Sequence, residues 1–582
     1  VSGYAHRGEI TAIMGPSGSG KTTLANVLTG RLGEGKYDLH GQVTFEGEKR
    51  DPNTWKSTTA YVEQEDKMYD CLTVEETIIF SAMLRLPNTY TKAQKIARAK
   101  NIMYTLGLSN VRDTKVGSSS SRGVSGGERK RCAVGVELVT SPKLMFLDEP
   151  TSGLDSHSAY NVVATVREVS RQGVAVLCTI HQPAFELFSM FDKVLLVAQG
   201  RVAFHGTIPD AIEHFTRLGH PVPQGANAAD HFISLLTEQA SASDEEGRNK
   251  VKTILDAWEA VRAPLPGALI ASSGSKPEMA APASLGTGGD AVPGFALGFF
   301  EELLWLTRRI NNKFMHPSYH LHSWVYQPGN FVSRGCVLTT LAFYRLNDGQ
   351  AGVIGKAGLL FFLPVNISFS VLFPIISYLP LLNGILIRER STGAYRVSSF
   401  YISRYLIEIP MAILARLIEF VLVYWVCAFR PDAGPFFIFM GFNCLTVILS
   451  VAMGLFLGST SKNLAVVQAI TPALNVVFML FGGFLLPRTA IGNWFIWLYW
   501  ISYLRYVFAG LTINEFKGRT LQCADSSQSC YRTGNDFLQA YNLTTFGVGV
   551  NAALLTAIIG AFAVIGYLTL RRLTNPKLRL DI

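Results

Sequence analysis

The sequence predicts two folded parts, an α/β domain followed by an all-α membrane domain with six helices. The first observation is a change in composition: charges and short apolar runs alternate up to about residue 252, whereas long apolar runs dominate beyond about residue 324. The second is a strand–loop–helix pattern near the start, where an apolar run at 9–14 precedes a glycine-rich loop. A composition with 48% hydrophobic and only 16% charged residues argues against a disordered or wholly soluble chain.

Domain boundaries follow from the same change in composition. We assign residues 1–240 to the α/β domain and residues 295–582 to the membrane domain. The segment between them, 241–294, is rich in Ala, Pro, Gly and Ser towards its end, and such a stretch does not bury enough apolar surface to order itself. We therefore expect a flexible linker there.

The glycine-rich loop after the first predicted strand matches the phosphate-binding pattern GxxxxGK[ST]. Its glycines let backbone N–H groups converge on phosphate oxygens at a helix start. Lys21 is expected to reach the β- and γ-phosphates, and Thr22 to hold Mg²⁺. The pattern alone could arise by chance, but the strand before it and the helix after it supply the required context. The residues predicted to bind ATP here are Gly15, Pro16, Ser17, Gly18, Ser19, Gly20, Lys21, Thr22 and Thr23.

Two further elements follow along the chain. An apolar strand ends in Asp148 and Glu149, whose carboxylates suit Mg²⁺ binding through water and activation of a water for hydrolysis. About twenty residues upstream, Ser125, Gly126 and Gly127 form another glycine-rich helix start. Each element alone would be an ordinary polar turn or a helix cap, so their weight comes from their order along the chain.

In this order the elements resemble the motifs of ATP-binding cassette (ABC) proteins, which implies an ABC ATPase domain with an α-helical subdomain. VSGGERKR at 124–131 resembles the signature motif, and Gln64 in YVEQED resembles the Q-loop glutamine. Asp155 in SGLD resembles the D-loop residue that contacts ATP, and His181 in TIHQP resembles the switch histidine. A lone histidine would more often be structural, but this position favours contact with the γ-phosphate.

The resemblance implies how these residues share the work. Glu149, His181 and Gln64 are expected to be catalytic, while Thr22, Gln64 and Asp148 are expected to surround Mg²⁺. The signature residues 125–127 would contact ATP that is held by a second subunit. A single chain would then not complete a site, so the resemblance implies dimerisation.

The resemblance is narrower still, to the G subfamily, the White and pleiotropic-drug-resistance type with an ABC type-2 exporter membrane domain. It rests on the signature sequence, TIHQP, Asn514-Glu515-Phe516 and the order of the two domains. It implies an ATP-hydrolysing half-transporter that forms a homo- or heterodimer and exports sterols, lipids, pigments or xenobiotics. One alternative is a regulatory or degenerate nucleotide-binding subunit, against which the intact Lys21 and Glu149 argue. Another is a membrane-tethered P-loop ATPase, against which the signature motif argues. The chain opens without Met, so the aromatic residue that stacks on adenine in this family is expected upstream of Val1.

Six apolar segments are candidates for membrane-spanning helices. They are residues 324–344, 355–378, 406–428, 435–458, 464–486 and 546–570. The first is interrupted by Pro328 and Arg334, and 493–513 is rich in Trp and Tyr, which suits an interfacial or re-entrant segment. Lys and Arg in the short loops predict a multi-pass protein with a cytosolic nucleotide domain and an extracellular loop at 487–545. We expect it in the plasma membrane. These positions also account for much of the net charge of +9, so no nucleic-acid partner is needed.

Several residues of the membrane domain are candidates by resemblance. Residues that would line a substrate cavity on spans two and five, with the last two forming a gate, are Asn366, Phe369, Val476, Met479, Phe484 and Leu485. Ordinary helix packing explains each of them equally well.

Polar residues of the membrane domain suggest three more features. Arg416 and Glu419 stand three residues apart in span three, as a local ion pair or, less favoured, as part of a polar substrate path. Cys523 and Cys530 could form a disulfide in an oxidising compartment. Asn542 lies in an Asn-Leu-Thr glycosylation sequon, which also arises by chance.

Overall fold

The computed structural model describes eight ranges of the chain, which are residues 1–31, 40–118, 121–237, 245–261, 295–315, 340–347, 349–522 and 531–575. The structure divides into two compact units. The first contains Val1–Gly298 together with Arg388–Tyr395, and the second contains Phe299–Ile387 together with Arg396–Asn575.

The first unit is built around a six-stranded sheet with the order β4-β5-β6-β1-β7-β8, beside a two-stranded hairpin of β2 and β3. The strands are β1 Ile10–Met14, β2 Thr44–Phe45, β3 Glu48–Lys49, β4 Thr59–Val62, β5 Leu144–Asp148, β6 Ala175–Thr179, β7 Lys193–Ala198 and β8 Arg201–Gly206. Within the six-stranded sheet, strands β4, β5, β6, β1 and β7 are parallel, whereas β8 runs antiparallel to β7. Strands β1 and β5 are fully buried apolar runs, as expected for a parallel sheet covered on both faces.

Ten helices accompany this sheet in the described part of the first unit. They are α1 Lys21–Thr29, α2 Pro52–Thr58, α3 Val74–Arg85, α4 Lys92–Thr105, α5 Gly126–Leu138, α6 Ser156–Arg171, α7 Phe185–Phe188, α8 Ile208–Arg217, α9 Ala228–Leu236 and α10 Glu245–Val261. Helices α3, α4 and α5 lie between β4 and β5 along the chain, and they pack against one another. This arrangement matches a helical subdomain inserted in an α/β core.

Part of the predicted linker is helical. Helix α10 packs on β8 and buries Val251, Ile254 and Leu255, a spacing that places one apolar stripe on the sheet. The alanine- and proline-rich remainder, 262–294, lies outside the described residues.

The secondary-structure elements that the described residues of the second unit form are all helices. They are α11 Phe299–Met315, α12 Gln350–Ser391, α13 Val397–Val426, α14 Ala433–Gly458, α15 Leu464–Leu480, α16 Ile496–Ile501, α17 Tyr503–Phe516, α18 Gly534–Ala540 and α19 Val548–Leu573. Five of the six predicted spans fall largely on α12, α13, α14, α15 and α19. The first, 324–344, lies almost entirely outside the described residues.

Among the described helices, three are long and apolar enough to cross a membrane by length and composition, namely α12, α14 and α19. A fourth candidate is a pair of helices, Asn493–Ile501 and Tyr503–Phe516, which is bent by 70° at its break, as in a broken span or a re-entrant loop. The aromatic segment 493–513, for which we expect an interfacial or re-entrant position, forms this bent pair.

Small residues let the helices of this unit approach closely. Gly454 and Gly458, one turn apart on α14, face Ile375 and Leu379 of α12. A Cβ added at Gly454 would stand 3.1 Å from Ile375, and one added at Gly458 would stand 2.8 Å from Leu379. Helix association in membranes relies on such close packing, because lipid tails are as apolar as the side chains.

Candidate functional site

The sheet order explains why four distant motifs meet. Strands β4, β5, β6 and β1 are neighbours and parallel, so their carboxyl ends lie along one edge. Gln64 follows β4, Asp148 ends β5, His181 follows β6, and the loop 15–20 follows β1. This edge is where open α/β sheets bind their ligands.

The glycine-rich loop wraps the start of α1. Gly20 caps this helix with a left-handed backbone (φ 99°), which an L-residue rarely adopts. A Cβ at Gly15 would lie 2.0 Å from the carbonyl oxygen of Val197, so only glycine fits there. Thr22 and Thr23 are exposed in the first turn, where a helix N-terminus favours negative charge.

Lys21 folds back over this loop. Its Nζ donates to the carbonyl oxygens of Gly15 at 2.8 Å and Pro16 at 3.0 Å, and the residue is 7% exposed. Burial lowers the pKa of Lys21, while the nearby carboxylates of Glu149 and Asp148 oppose that shift. The carbonyl oxygens hold the ammonium group beside the loop that is expected to bind phosphate.

Asp148 is fixed by two hydroxyl groups. Thr179 Oγ1 donates to Oδ1 at 2.6 Å, and Tyr61 donates to Oδ2 at 3.1 Å. Each carboxylate oxygen can accept more than one hydrogen bond, so lone pairs remain for a cation. Burial raises the pKa of Tyr61, and the charge of Asp148 and its hydrogen bond with Tyr61 raise it further.

Glu149 takes a strained backbone beside Asp148. Its φ is +42°, a left-handed value that is uncommon for residues other than glycine and clusters at functional sites. Its amide donates to Thr179 Oγ1 at 2.9 Å, and Gln64 Nε2 donates to its Oε2 at 2.9 Å. Because Gln64 uses its amide nitrogen on Glu149, its oxygen is left for a cation. The structure thus brings together two of the three predicted catalytic residues.

Lys130 is a residue that the sequence analysis did not single out. Its Nζ donates to the carbonyl of Gln64 at 2.8 Å and to that of Glu63 at 3.2 Å, and pairs with Asp66 at 2.6 Å, in a 3% exposed environment. Burial raises the pKa of Asp66, and Lys130 opposes that shift. A lysine within the signature sequence therefore ties α5 to the loop that carries Gln64. The sequence signal was its place in VSGGERKR, but only the fold shows its partner.

The signature residues sit at the start of α5. Ser125 caps this helix through a capping box with Glu128. A Cβ at Gly126 would lie 2.8 Å from the Leu154 side chain, so that glycine makes room for the loop preceding α6.

Asp155 begins the next helix. It caps α6 by accepting from the Ser158 amide at 2.9 Å, and this hydrogen bonding lowers its pKa. The capping role occupies one oxygen of the residue that we expect to contact ATP; that contact stays a prediction. His181 is exposed one residue beyond Ile180, at the same sheet edge as Glu149.

Family comparisons agree with this geometry. The ABC transporter family model matches residues 1–152, the ABC-2 type transporter model matches residues 334–516, and a second model with the ABC-2 type description matches residues 181–264. Similarity to relatives extends over nearly the whole chain. ABC transporter G family member 22 of Dictyostelium discoideum is 32% identical, covering 99% of this chain and 91% of the relative. The chain belongs to the G family of ABC transporters. 

Two other members of this family are similarly related. The Broad substrate specificity ATP-binding cassette transporter ABCG2 of Mus musculus is 32% identical over 96% of this chain and 88% of its own length. Protein white of Drosophila melanogaster is 30% identical over 99% of this chain and 83% of its own length. This ABC transporter joins an ATP-binding domain to a membrane domain in one chain.

The predicted cavity residues of this ABC transporter differ in exposure. Asn366 is exposed, Val476 is 41% exposed, and Phe369 and Met479 are half-buried. They share faces of α12 and α15 that other described residues leave uncovered.

The two predicted gate residues have different surroundings. Phe484 stacks on Phe361 with ring centroids 5.1 Å apart and lies edge-on to Phe508 at 5.5 Å. Leu485 is 42% exposed. The packing explanation therefore fits Phe484 better than Leu485.

The charged pair in α13 is formed. Arg416 Nη1 donates to Glu419 Oε2 at 2.7 Å, and Nη2 donates to Ser370 on α12. The ion pair expected within span three is thus observed, and it also links two helices. Asn542 is half-buried in a turn before α19, whereas Cys523 and Cys530 lie outside the described residues.

The family motif Asn514-Glu515-Phe516 has a structural role. Glu515 accepts from the backbone amide of Arg430 at 3.1 Å, and Asn514 Nδ2 donates to the Pro435 carbonyl at 2.8 Å. The end of α17 therefore holds the connection between α13 and α14.

Proposed function

We propose that this ABC transporter is an ATP-hydrolysing half-transporter that dimerises, with itself or a related chain, and exports hydrophobic or amphipathic small molecules. The observation that carries the proposal is the hydrogen bond from Gln64 to Glu149, next to Lys21 and Asp148 at one sheet edge. An intact water-activating carboxylate argues against a purely regulatory subunit.

The chain's own groups divide the chemistry of hydrolysis. Loop amides and Lys21 bind and orient the phosphates, and the Glu149 carboxylate orients the attacking water and accepts its proton. His181 contacts the γ-phosphate, and Asp148 is kept in place by Thr179 and Tyr61.

Mg²⁺ fits the donors that these residues offer. The Thr22 hydroxyl, the Asp148 carboxylate and the Gln64 amide oxygen are hard oxygen ligands of the kind that Mg²⁺ prefers. When bound, the cation neutralises charge on the β- and γ-phosphates.

A second chain supplies the rest of the site. Ser125, Gly126 and Gly127 at the start of α5 provide amides for the ATP held by the other subunit. Closure of two such sites and reopening after hydrolysis forms a two-state element that drives transport. This requirement motivates a dimer as the working unit.

The substrate is a hydrophobic or amphipathic molecule such as a sterol, lipid, pigment or xenobiotic. Apolar and aromatic side chains on α12 and α15 that are exposed or half-buried, among them Val476 and Phe369, support this class. So does the name of the ABCG2 relative, which describes broad substrate specificity. We place the transporter in the plasma membrane, as a multi-pass protein with its nucleotide domain in the cytosol.

The test compares Glu149→Gln with a matched control, Glu168→Gln, which alters an exposed glutamate on α6. ATPase activity should fall by about 10²–10⁴ in Glu149→Gln, the usual contribution of a positioned acid or base, with ATP binding retained. The control should keep the wild-type rate. Equal hydrolysis by wild type and Glu149→Gln would refute the catalytic assignment.

Transport itself needs a second measurement. Inside-out vesicles containing the wild-type chain, alone or with a candidate partner chain, should accumulate a sterol, lipid or dye only with ATP. Vesicles with Glu149→Gln should not. ATP-dependent uptake that requires the partner chain, and that is the same with wild type and Glu149→Gln, would favour the regulatory-subunit alternative.

A further inference from the structure

The bent pair Asn493–Ile501 and Tyr503–Phe516, which contains α16 and α17, carries an unusual aromatic surface. Trp494 is 89% exposed, Phe495 57% and Trp497 56%, and all three lie within the segment before the 70° bend. Tryptophan is enriched where membrane lipids meet water, because one part of its ring system is apolar and its N–H is polar. In a membrane protein of this family, this surface is suited to the headgroup region of the bilayer.

Two arginines converge on one indole behind that surface. The guanidinium carbon of Arg505 lies 3.8 Å from the Trp500 ring centroid, and that of Arg488 lies 5.5 Å from the same centroid. Arg505 also lies 4.3 Å from the ring centroid of Tyr499 and 5.1 Å from that of Tyr506. We call Arg488, Trp500 and Arg505 the arginine–tryptophan cluster.

Within the ranges that the structure describes, neither arginine of this cluster has an ion pair or a side-chain hydrogen bond. Arg505 is only 3% exposed, and its Nη1 is buried with no acceptor among these residues. Two other arginines of the same unit have carboxylate partners: the buried Arg416 pairs with Glu419, and the half-buried Arg519 pairs with Glu515. Among the described residues, the cluster is therefore a concentration of positive charge that has no counter-ion.

Aromatic rings satisfy only part of what a guanidinium group needs. They attract its charge but accept none of its five N–H donors well. Two cations beside one ring also repel each other, and an anion between them would relieve that repulsion. Phosphate oxygens match guanidinium geometry, since two parallel N–H donors meet two oxygens.

We propose that the arginine–tryptophan cluster binds the phosphate of an anionic phospholipid headgroup, such as phosphatidylglycerol, whose acyl chains lie beside the exposed aromatic residues. A zwitterionic headgroup fits less well, because its ammonium group would meet two guanidinium groups. A water-soluble anion would leave the exposed Trp494 and Trp497 without a role. This site uses none of the residues predicted to line the transport cavity, and its test does not depend on transport.

The experiment measures lipid binding to the purified full chain in detergent by native mass spectrometry, with equal amounts of phosphatidylglycerol and phosphatidylcholine. Arg488→Gln is the main variant, because Arg488 is half-exposed and its replacement leaves the buried Arg505 in place. Arg505→Lys keeps the charge but loses the planar fork. Lys517→Gln is the control, since it removes one exposed positive charge from the end of α17. An unchanged melting temperature verifies that each variant is folded.

Wild type should retain phosphatidylglycerol in preference to phosphatidylcholine. Arg488→Gln should weaken phosphatidylglycerol binding about tenfold, as expected for one charge-assisted contact, and Arg505→Lys should weaken it as well. Lys517→Gln should bind as wild type does. Three results would overturn the proposal: equal retention of the two lipids, an equal loss in Lys517→Gln and Arg488→Gln, or release of the lipid by excess inorganic phosphate, which would indicate a site for a soluble anion.

Discussion

Arg416 and Glu419 form an ion pair on one face of α13, with 2.7 Å between Nη1 and Oε2 and side chains that are 3% and 6% exposed. Replacing Arg416 by Met leaves the Glu419 carboxylate buried without a partner. Replacing Glu419 by Leu leaves a guanidinium group that keeps only its hydrogen bond to Ser370. Removing one partner of a buried ion pair costs about 3–5 kcal/mol, because the remaining charge is uncompensated.

The double variant Arg416→Met/Glu419→Leu should be more stable than either single variant. Replacing a whole buried pair by apolar residues is often nearly neutral, so we expect it to lie within about 2 kcal/mol of wild type. The coupling free energy from the double-mutant cycle should then be about 3 kcal/mol or more. Exchanging the two charges should likewise be milder than losing one of them.

The assay is denaturant unfolding of the purified chain in detergent, compared across wild type, both single variants, the double variant and the charge exchange. Losses that add, with a double variant less stable than both single variants, would refute the pairing. Normal stability combined with altered transport of polar substrates would instead favour the substrate-path alternative. Transport measured in vesicles with the same variants separates these two explanations.

Three other predictions concern groups outside this pair. Lys130→Met should lower the ATPase turnover and cost about 1–3 kcal/mol of stability, since two carbonyls and Asp66 lose their donor. Lys130→Arg should restore part of the activity. An ATP affinity that falls as much as the turnover would contradict a role limited to placing Gln64. Burial of His205, together with the nearby charge of Lys193, lowers the pKa of this residue from 6.5 to about 4. The unfolded chain therefore binds the proton at a higher pH than the folded chain does, and stability falls as the pH decreases below 6.5. Between pH 7.5 and 5 this residue should account for about 2 kcal/mol of lost stability. This loss should be absent from the thermal unfolding curves of His205→Gln. If wild type and His205→Gln lose the same stability over this pH range, the burial of His205 does not govern the loss. Gly454→Leu should destabilise the membrane unit by about 1–3 kcal/mol through overpacking against Ile375. Gly441→Leu, on an open part of α14, should be tolerated. Equal melting temperatures of the two variants would contradict close packing at Gly454.

Much of the nucleotide site could be predicted from the sequence because its parts are local. The loop 15–22 needs only a strand, glycines and a helix start, and each lies within a few residues of the next. The carboxylates at 148–149 likewise follow directly from a buried strand. The helix Glu245–Val261 falls in the segment expected to be a flexible linker and could not be predicted, because its apolar stripe is meaningful only beside β8.

Contacts between distant parts of the chain could not be predicted in this way. The partners of Lys130 and Asp148 come from separate elements, and single-sequence periodicity contains no information about which elements are neighbours. The Arg416–Glu419 pair was visible from its three-residue spacing, since such residues share a helix face. Its bond to Ser370, on another helix, was not.

The sequence by itself determined the two-part composition of this transporter, its phosphate loop and its long apolar helices, since these features depend on residue types at short spacing. The tertiary structure decided which side chains those elements bring together. The order β4-β5-β6-β1 places Gln64 against Glu149, and the bend between α16 and α17 accompanies the convergence of Arg505 and Arg488 on Trp500. The physical reason is that strand order and helix packing are fixed by burial summed over the whole domain, which no local stretch of sequence specifies.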